Sequence, residues 1–286
     1  MGAFVVHKLS GIICAVSLIY TSCANAQVAT DSPVTANDEK VGQTFQDCSS
    51  GTPPSIIEVG PQASISEFGR VNQTIVGGFG AVGFCGAPKG IRWRFEASYS
   101  HVDDDFSSAD AVVTGAGFTF RPISKEPGFT ITPIARIGYE NFSNSSNLLY
   151  GGSVTLEYIT PFGTREYGKS GPSLQVILVE RPEYISRQVV RNNLPVGPVS
   201  QDVFSNFASI GFDGAFSRRS RWRWKATLAS LSIDSDAPTN QIFSLVLSTR
   251  PTTNNGASYP WSAEIWLSAG NGNYRGALFS MVFRFD

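Results

Sequence analysis

Residues 275–285, RGALFSMVFRF, decide how this chain folds. Ala277, Phe279, Met281, Phe283 and Phe285 fall on one side of an extended strand, and Ser280 and Arg284 on the other, with Val282 between them. Successive side chains of a strand point to opposite faces, so the segment has one greasy face and one largely polar face. A helix would scatter these residues around its axis.

The same period recurs upstream. Over Ile91 to Ser100, Ile91, Trp93, Phe95, Ala97 and Tyr99 oppose Arg92, Arg94, Glu96, Ser98 and Ser100. Phe129 to Glu140, Tyr150 to Thr160, Phe204 to Phe216, Arg221 to Leu228 and Trp261 to Ser268 repeat the pattern. Weaker alternation marks 55–66, 72–84, 110–120, 173–180 and 241–249, with 72–84 and 173–180 the least regular. The count is about twelve strands, or ten without those two. Long stretches of 3.6-residue period are missing, so the chain is all-β. Eleven residues at ~3.3 Å each span about 36 Å, which a tilt of roughly 40° projects to about 28 Å, close to a membrane's apolar band. Soluble strands are usually shorter.

The N-terminus supplies the compartment. Lys8, the apolar run Leu9 to Tyr20 and Ala24-Asn25-Ala26 form a secretory signal peptide over 1–26, with cleavage expected after Ala26. Lipoprotein processing at Cys23 is the competing reading, although Tyr20 stands where that motif wants a small aliphatic residue or Leu. Residues 27–54, polar and broken by Pro and Gly, are expected to be a flexible periplasmic leader. Residues 55–286 are expected to be the barrel. The formal charge moves from −1 to −2 on loss of Lys8, which gives no electrostatic reason to expect nucleic acid as a partner. Cys48 and Cys85 remain once Cys14 and Cys23 leave with the signal. An even pair bound for an oxidising compartment is expected to be bridged.

Signal peptide, amphipathic strands and aromatic final strand together resemble bacterial outer-membrane β-barrel proteins, porin-like in the broad sense and of no specific family. The resemblance implies an antiparallel up-and-down transmembrane barrel in the outer membrane, contacts with lipid and lipopolysaccharide, delivery by the barrel-insertion machinery, small solutes as cargo and no cofactor. It departs at the end, where Asp286 follows Phe285 and blurs the terminal aromatic tag. It also places the C-terminus on the periplasmic side. Connections 85–89, 121–128, 161–172, 217–220 and 250–260 then fall on that side, and 67–71, 101–109, 141–147, 181–202, 234–240 and 269–274 outside. The longest, 181–202, is expected to be an outer loop and is the natural place for an adhesive function.

A barrel's polar face lines its lumen. That face offers Arg92, Arg94, Arg136, Arg221, Arg223, Lys225 and Arg284 against Glu96, Glu140, Glu157, Asp213 and Glu264. Buried charges need partners, so an interior ladder of ion pairs in a nearly closed barrel is one expectation. The other is a narrow pore with a slight anion preference set near Arg221, Arg223 and Lys225. No catalytic constellation is recognisable. Past the signal the chain has one histidine, His101, with no His-x-Ser or Asp-x-His around it; a lipid-directed enzyme would need His101 to meet Ser98 or Ser100. Asp103, Asp104 and Asp105 form a weak candidate for a Ca²⁺ or lipopolysaccharide-bridging site, and more often such a run is a solvated loop.

Overall fold

The computed structural model describes residues 55–68, 71–86, 90–105, 107–123, 128–161, 174–193, 201–215, 222–233, 240–249 and 261–285. The expected signal peptide and leader, with Cys48 and Arg221, lie outside them. Twelve strands follow in chain order: β1 (Ser55–Phe68), β2 (Val71–Gly86), β3 (Ile91–Asp104), β4 (Ser108–Ile123), β5 (Gly128–Phe142) and β6 (Ser145–Pro161), then β7 (Leu174–Asn192), β8 (Gln201–Ala215), β9 (Trp222–Ile233), β10 (Asn240–Thr249), β11 (Trp261–Gly270) and β12 (Tyr274–Phe285). Each pairs antiparallel with its sequence neighbours, and β1 pairs with β12 to close the barrel. The two doubtful segments are both real strands, β2 and β7, so the count is twelve.

The alternation read from the final segment holds. Phe279, Phe283 and Phe285 face outward, while Ser280 is 1% exposed on the inner wall. The outward face is a belt of large apolar side chains left exposed by the barrel itself, among them Ile65, Phe95, Ile137, Ile210, Leu228, Phe243 and Leu267. Exposure on this scale is the signature of a lipid-facing surface. Trp222, Trp261, Phe283 and Phe285 ring the rim that carries both ends of the described barrel. Tyr99, Tyr139, Tyr150 and Phe204 face outward on β3, β5, β6 and β8, nearer the opposite, distal rim. The two girdles expected of interfacial aromatics are therefore present.

Two sequence expectations are overturned. The segment 181–202 is not a loop: β7 runs through Asn192 and β8 starts at Gln201, leaving only 193–200 between them. Loop length also fails to orient the barrel. Connections at the distal rim are two to eight residues long, and those at the terminus-bearing rim four to twelve. Short periplasmic turns would argue for the opposite placement to the one the resemblance implies, so orientation finds no support in loop length.

The closing seam depends on close approach. Between Val59↔Phe283 and Gln62↔Ser280, Gly60 passes so near β12 that a Cβ would land on the Met281 carbonyl. Gly77 is equally tight against the Tyr99 carbonyl, across from β3, which accounts for part of the glycine cluster in β2. The prediction is that Gly60→Val opens the β1–β12 seam. The folded, fast-migrating band on an unboiled gel should be lost, whereas Ile65→Val at an outward, exposed position should keep it.

Candidate functional site

The inner wall divides into two unlike halves. Across β3 to β7 it is filled by a lattice of guanidinium and carboxylate groups. Arg94 Nε donates to Glu96 Oε2 at 3.1 Å, and Arg136 Nε donates to Glu96 Oε1 at 3.0 Å. Arg136 Nη1 donates onward to Ser153 Oγ at 3.0 Å and to Glu183 Oε1 at 3.1 Å. Arg181 completes the chain, its Nε 4.0 Å from Glu183 Oε2, and its guanidinium lies 5.4 Å from the centre of the Phe207 ring. Higher up, Arg187 Nε donates to Glu140 Oε2 at 3.3 Å, and Asn147 Nδ2 donates to the same oxygen at 3.2 Å. These side chains come from strands whose inward positions recur every second residue, so the lattice crosses five strands with no help from loops.

The wall around β8 to β12 and β1 mixes hydroxyls with buried apolar side chains, among them Ile56, Leu231, Ile242, Val246, Leu278 and Val282. Ser64, Ser66, Ser209, Thr227, Ser244 and Ser268 border a void of about 70 Å³. Lys225 and Trp266 stand at its edge, with Nζ 6.0 Å from the ring. Trp266 Nε1 donates to Glu264 Oε2 at 3.3 Å. Thr227 Oγ1 is buried without a hydrogen-bond partner among the described residues. A void of roughly 10–15 Å³ on this measure already holds one water, so this one has room for a short file of them.

Of the residues expected in the lumen, Arg92, Arg94, Glu140, Glu157 and Glu264 are buried on the inner wall, and Glu96, Arg136 and Lys225 face it on the same phase. Asp213 and Arg223 sit at backbone register positions on β8 and β9, and Arg284 pairs in register with Glu58 on β12 and β1. Their side chains, like the whole of Arg221, lie outside the description. Glu58, Arg181, Glu183 and Arg187 are inner-wall charges that the sequence reading missed. Among the described buried and lumen-facing side chains the charges balance, and the expected cationic excess rests on Arg221, Arg223 and Arg284 against Asp213, which are not among them. Arg92, Arg94, Arg136, Arg181, Arg187 and Lys225 are matched by Glu58, Glu96, Glu140, Glu157, Glu183 and Glu264.

The remaining candidates separate. Alternation turns Ser98 and Ser100 inward and His101 outward, where His101 Nδ1 lies 2.9 Å from Asp110 Oδ1 and Tyr99 OH donates to the same oxygen at 2.8 Å. Among the described residues the histidine's side-chain partner is Asp110, and no serine hydrogen-bonds to it. The three aspartates do not converge. Asp104 accepts from the Ser107 backbone at 2.7 Å, and Asp105 accepts from the Asn72 backbone at 2.9 Å, so both shape the distal turn. Among the described residues no three His, Cys, Asp or Glu side chains form a group that could hold a metal. Cys85 lies opposite Arg92 at the terminus-bearing rim, on the inward phase of β2.

No protein-family model and no curated protein matches the chain. Solved structures do. The β-domain of the Bordetella autotransporter BrkA is 11% identical, with a TM-score of 0.52, over 81% of this chain and 99% of that one. The translocator domain of the autotransporter NalP from Neisseria meningitidis is also 11% identical, with a TM-score of 0.51, over 91% of this chain and all of that one. At this identity the likeness is one of fold. Closed antiparallel sheet, apolar outward belt and paired aromatic girdles define an outer-membrane β-barrel.

Arg136 is the hinge of the lattice, holding Glu96, Glu183 and Ser153 together at 7% side-chain exposure. Glu183→Gln leaves two guanidiniums facing a neutral amide. Breaking one partner of a buried pair costs about 3 kcal/mol. The folded variant should show a correspondingly lower urea midpoint in lipid vesicles, while the same change at the exposed Glu67 should leave the midpoint in place.

Proposed function

We propose that this barrel is a low-conductance pore for water-sized solutes and small ions, with the passage along the hydroxyl-bearing half of its lumen. The observation that carries the reading is the void bordered by Ser209, Thr227, Ser244 and Ser268 beside Lys225. It runs next to a lattice in which Arg94, Arg136 and Arg187 are tied to Glu96, Glu183 and Glu140 within the wall and so are held out of the path. Hydroxyls replace part of a solute's hydration shell, and the Lys225 ammonium bordering the void adds a cationic group beside the path, which favours anions. Lys225 is the member of the Arg221, Arg223 and Lys225 run whose side chain is described, and in this reading it carries the selective charge. A void this narrow excludes larger solutes. The sealed alternative, a structural barrel with a plugged lumen, rests on the same lattice across β3 to β7.

Purified, refolded protein in a planar bilayer distinguishes the two. The pore reading expects small steady conductance steps with a slight anion preference, and Lys225→Glu should turn that preference toward cations. A membrane that stays silent at all potentials would sink it.

The Cys48–Cys85 bridge belongs to the same proposal. Cys85 lies at the terminus-bearing rim, the rim from which the chain upstream of Ser55 departs. Thiol labelling of the folded, unreduced chain should leave both cysteines unmodified, and reduction should expose them together. Labelling of Cys85 without reductant would rule the bridge out.

A further inference from the structure

Among the described residues the outward belt is interrupted by a polar stripe across β7 to β10. In adjacent registers of β7 to β10, Glu180 pairs with Ala208, Ala208 with Ser230 and Ser230 with Gln241, while Pro182 pairs with Asn206 and Asn206 with Ser232. The alternation that turns Ile185 and Arg181 inward turns Glu180 outward, where it is exposed. Glu180 lies six residues from the β7 end at the terminus-bearing rim, which at ~3.3 Å per residue and a tilt of roughly 40° is about 15 Å into the span. Ser230, Ser232 and Gln241 sit close to the distal ends of the shorter β9 and β10. The stripe therefore descends from the distal rim to mid-depth at β7.

The groups along it are not used by the barrel. Among the described residues neither Glu180 nor Asn206 has a side-chain hydrogen-bond or ion-pair partner, and Asn206 Oδ1 is buried in that state. An ionisable side chain at mid-depth is expensive on a lipid face and is tolerated where protein covers it. Small residues, Ala208, Ser230 and Ser232, fill the rest of the stripe and permit close backbone approach. The stripe carries both halves of its own complement. Glu180 offers acceptors only, and Asn206, Ser230 and Ser232 offer donors. A patch containing both, set against itself by a twofold axis along the membrane normal, satisfies each group with the other copy's, as an isologous interface requires.

We propose that the β7–β9 stripe is the contact between two copies of this chain in the membrane, with Glu180 of each copy accepting from Asn206 or a stripe serine of the other. The proposal is independent of whether the lumen conducts.

The test uses the full exported chain refolded into lipid nanodiscs or detergent, with native mass spectrometry for stoichiometry. A dimer is expected. Glu180→Leu and Asn206→Leu each make the stripe more lipid-like and remove a contact twice per dimer, so each should raise the dimer dissociation constant about tenfold or more. Migration before boiling confirms that the variants are folded. Ser230→Cys, a smaller change, should cross-link between copies under mild oxidation beyond the level of the unsubstituted chain. A strictly monomeric protein would overturn the proposal. So would a dimer that both leucine variants leave unchanged and whose Ser230→Cys form does not cross-link.

Discussion

Everything in this molecule depends on one row of hydrogen bonds, the pairing of β1 with β12. Hydrocarbon offers no partner for a backbone N–H or C=O, so a sheet standing in a bilayer has to satisfy every edge within itself. The seam does this by running nine register pairs along two strands far apart in sequence, and by placing Gly60 where β12 comes too close for a side chain. Given closure, the period of two does the rest. Every second residue meets lipid and every second residue meets the lumen, so the sequence of each strand has to serve two solvents at once.

The lumen side carries the harder electrostatic problem. A guanidinium held inside a narrow barrel loses much of its hydration and recovers it only from neighbours. Arg136 illustrates the solution: two carboxylates and a hydroxyl, drawn from three other strands, surround one side chain. Such a lattice ties strands together across the interior, where a soluble β-protein would use packed hydrocarbon. It also leaves the two halves of the wall unlike, one dominated by linked charges, the other a mixture of hydroxyls and apolar side chains with isolated charged positions such as Glu58, Lys225 and Glu264.

Much of this was legible in the sequence. The final strand, residues 91–100 and residues 129–140 announced their faces because each keeps aromatic or aliphatic residues on one phase and charges or hydroxyls on the other. The charges on those polar faces were found for the same reason. β7 was misread from Arg181 onward because its outward face breaks the rule: Glu180 and Pro182 stand where apolar residues were expected, and proline in a run argues against a strand. With that phase obscured, Arg181, Glu183 and Arg187 looked like loop polarity and were missed as lumen residues. Glu58 escaped for a related reason, since β1 was seen only as a weak alternation and its inner residues were not followed up. Which arginine meets which glutamate was beyond the sequence altogether, because that depends on register between strands up to 47 positions apart.

The wall is uneven in height. β7 has 19 residues and β6 has 17, whereas β10 and β11 have 10 each. With ~3.3 Å of rise and a tilt of roughly 40°, the tall side projects about 48 Å and the low side about 25 Å. The low side alone matches an outer membrane's apolar band of about 25 Å. β7, β8 and β9 are in register near the terminus-bearing rim, Leu174 with Gly214 and Gly214 with Trp224, so the surplus of β7 lies at the distal rim, where Gln188 and Arg191 are exposed polar residues. That flank therefore rises clear of the lipid as a wall on one side of the distal opening, and a solute approaching from that side meets β6 and β7 first.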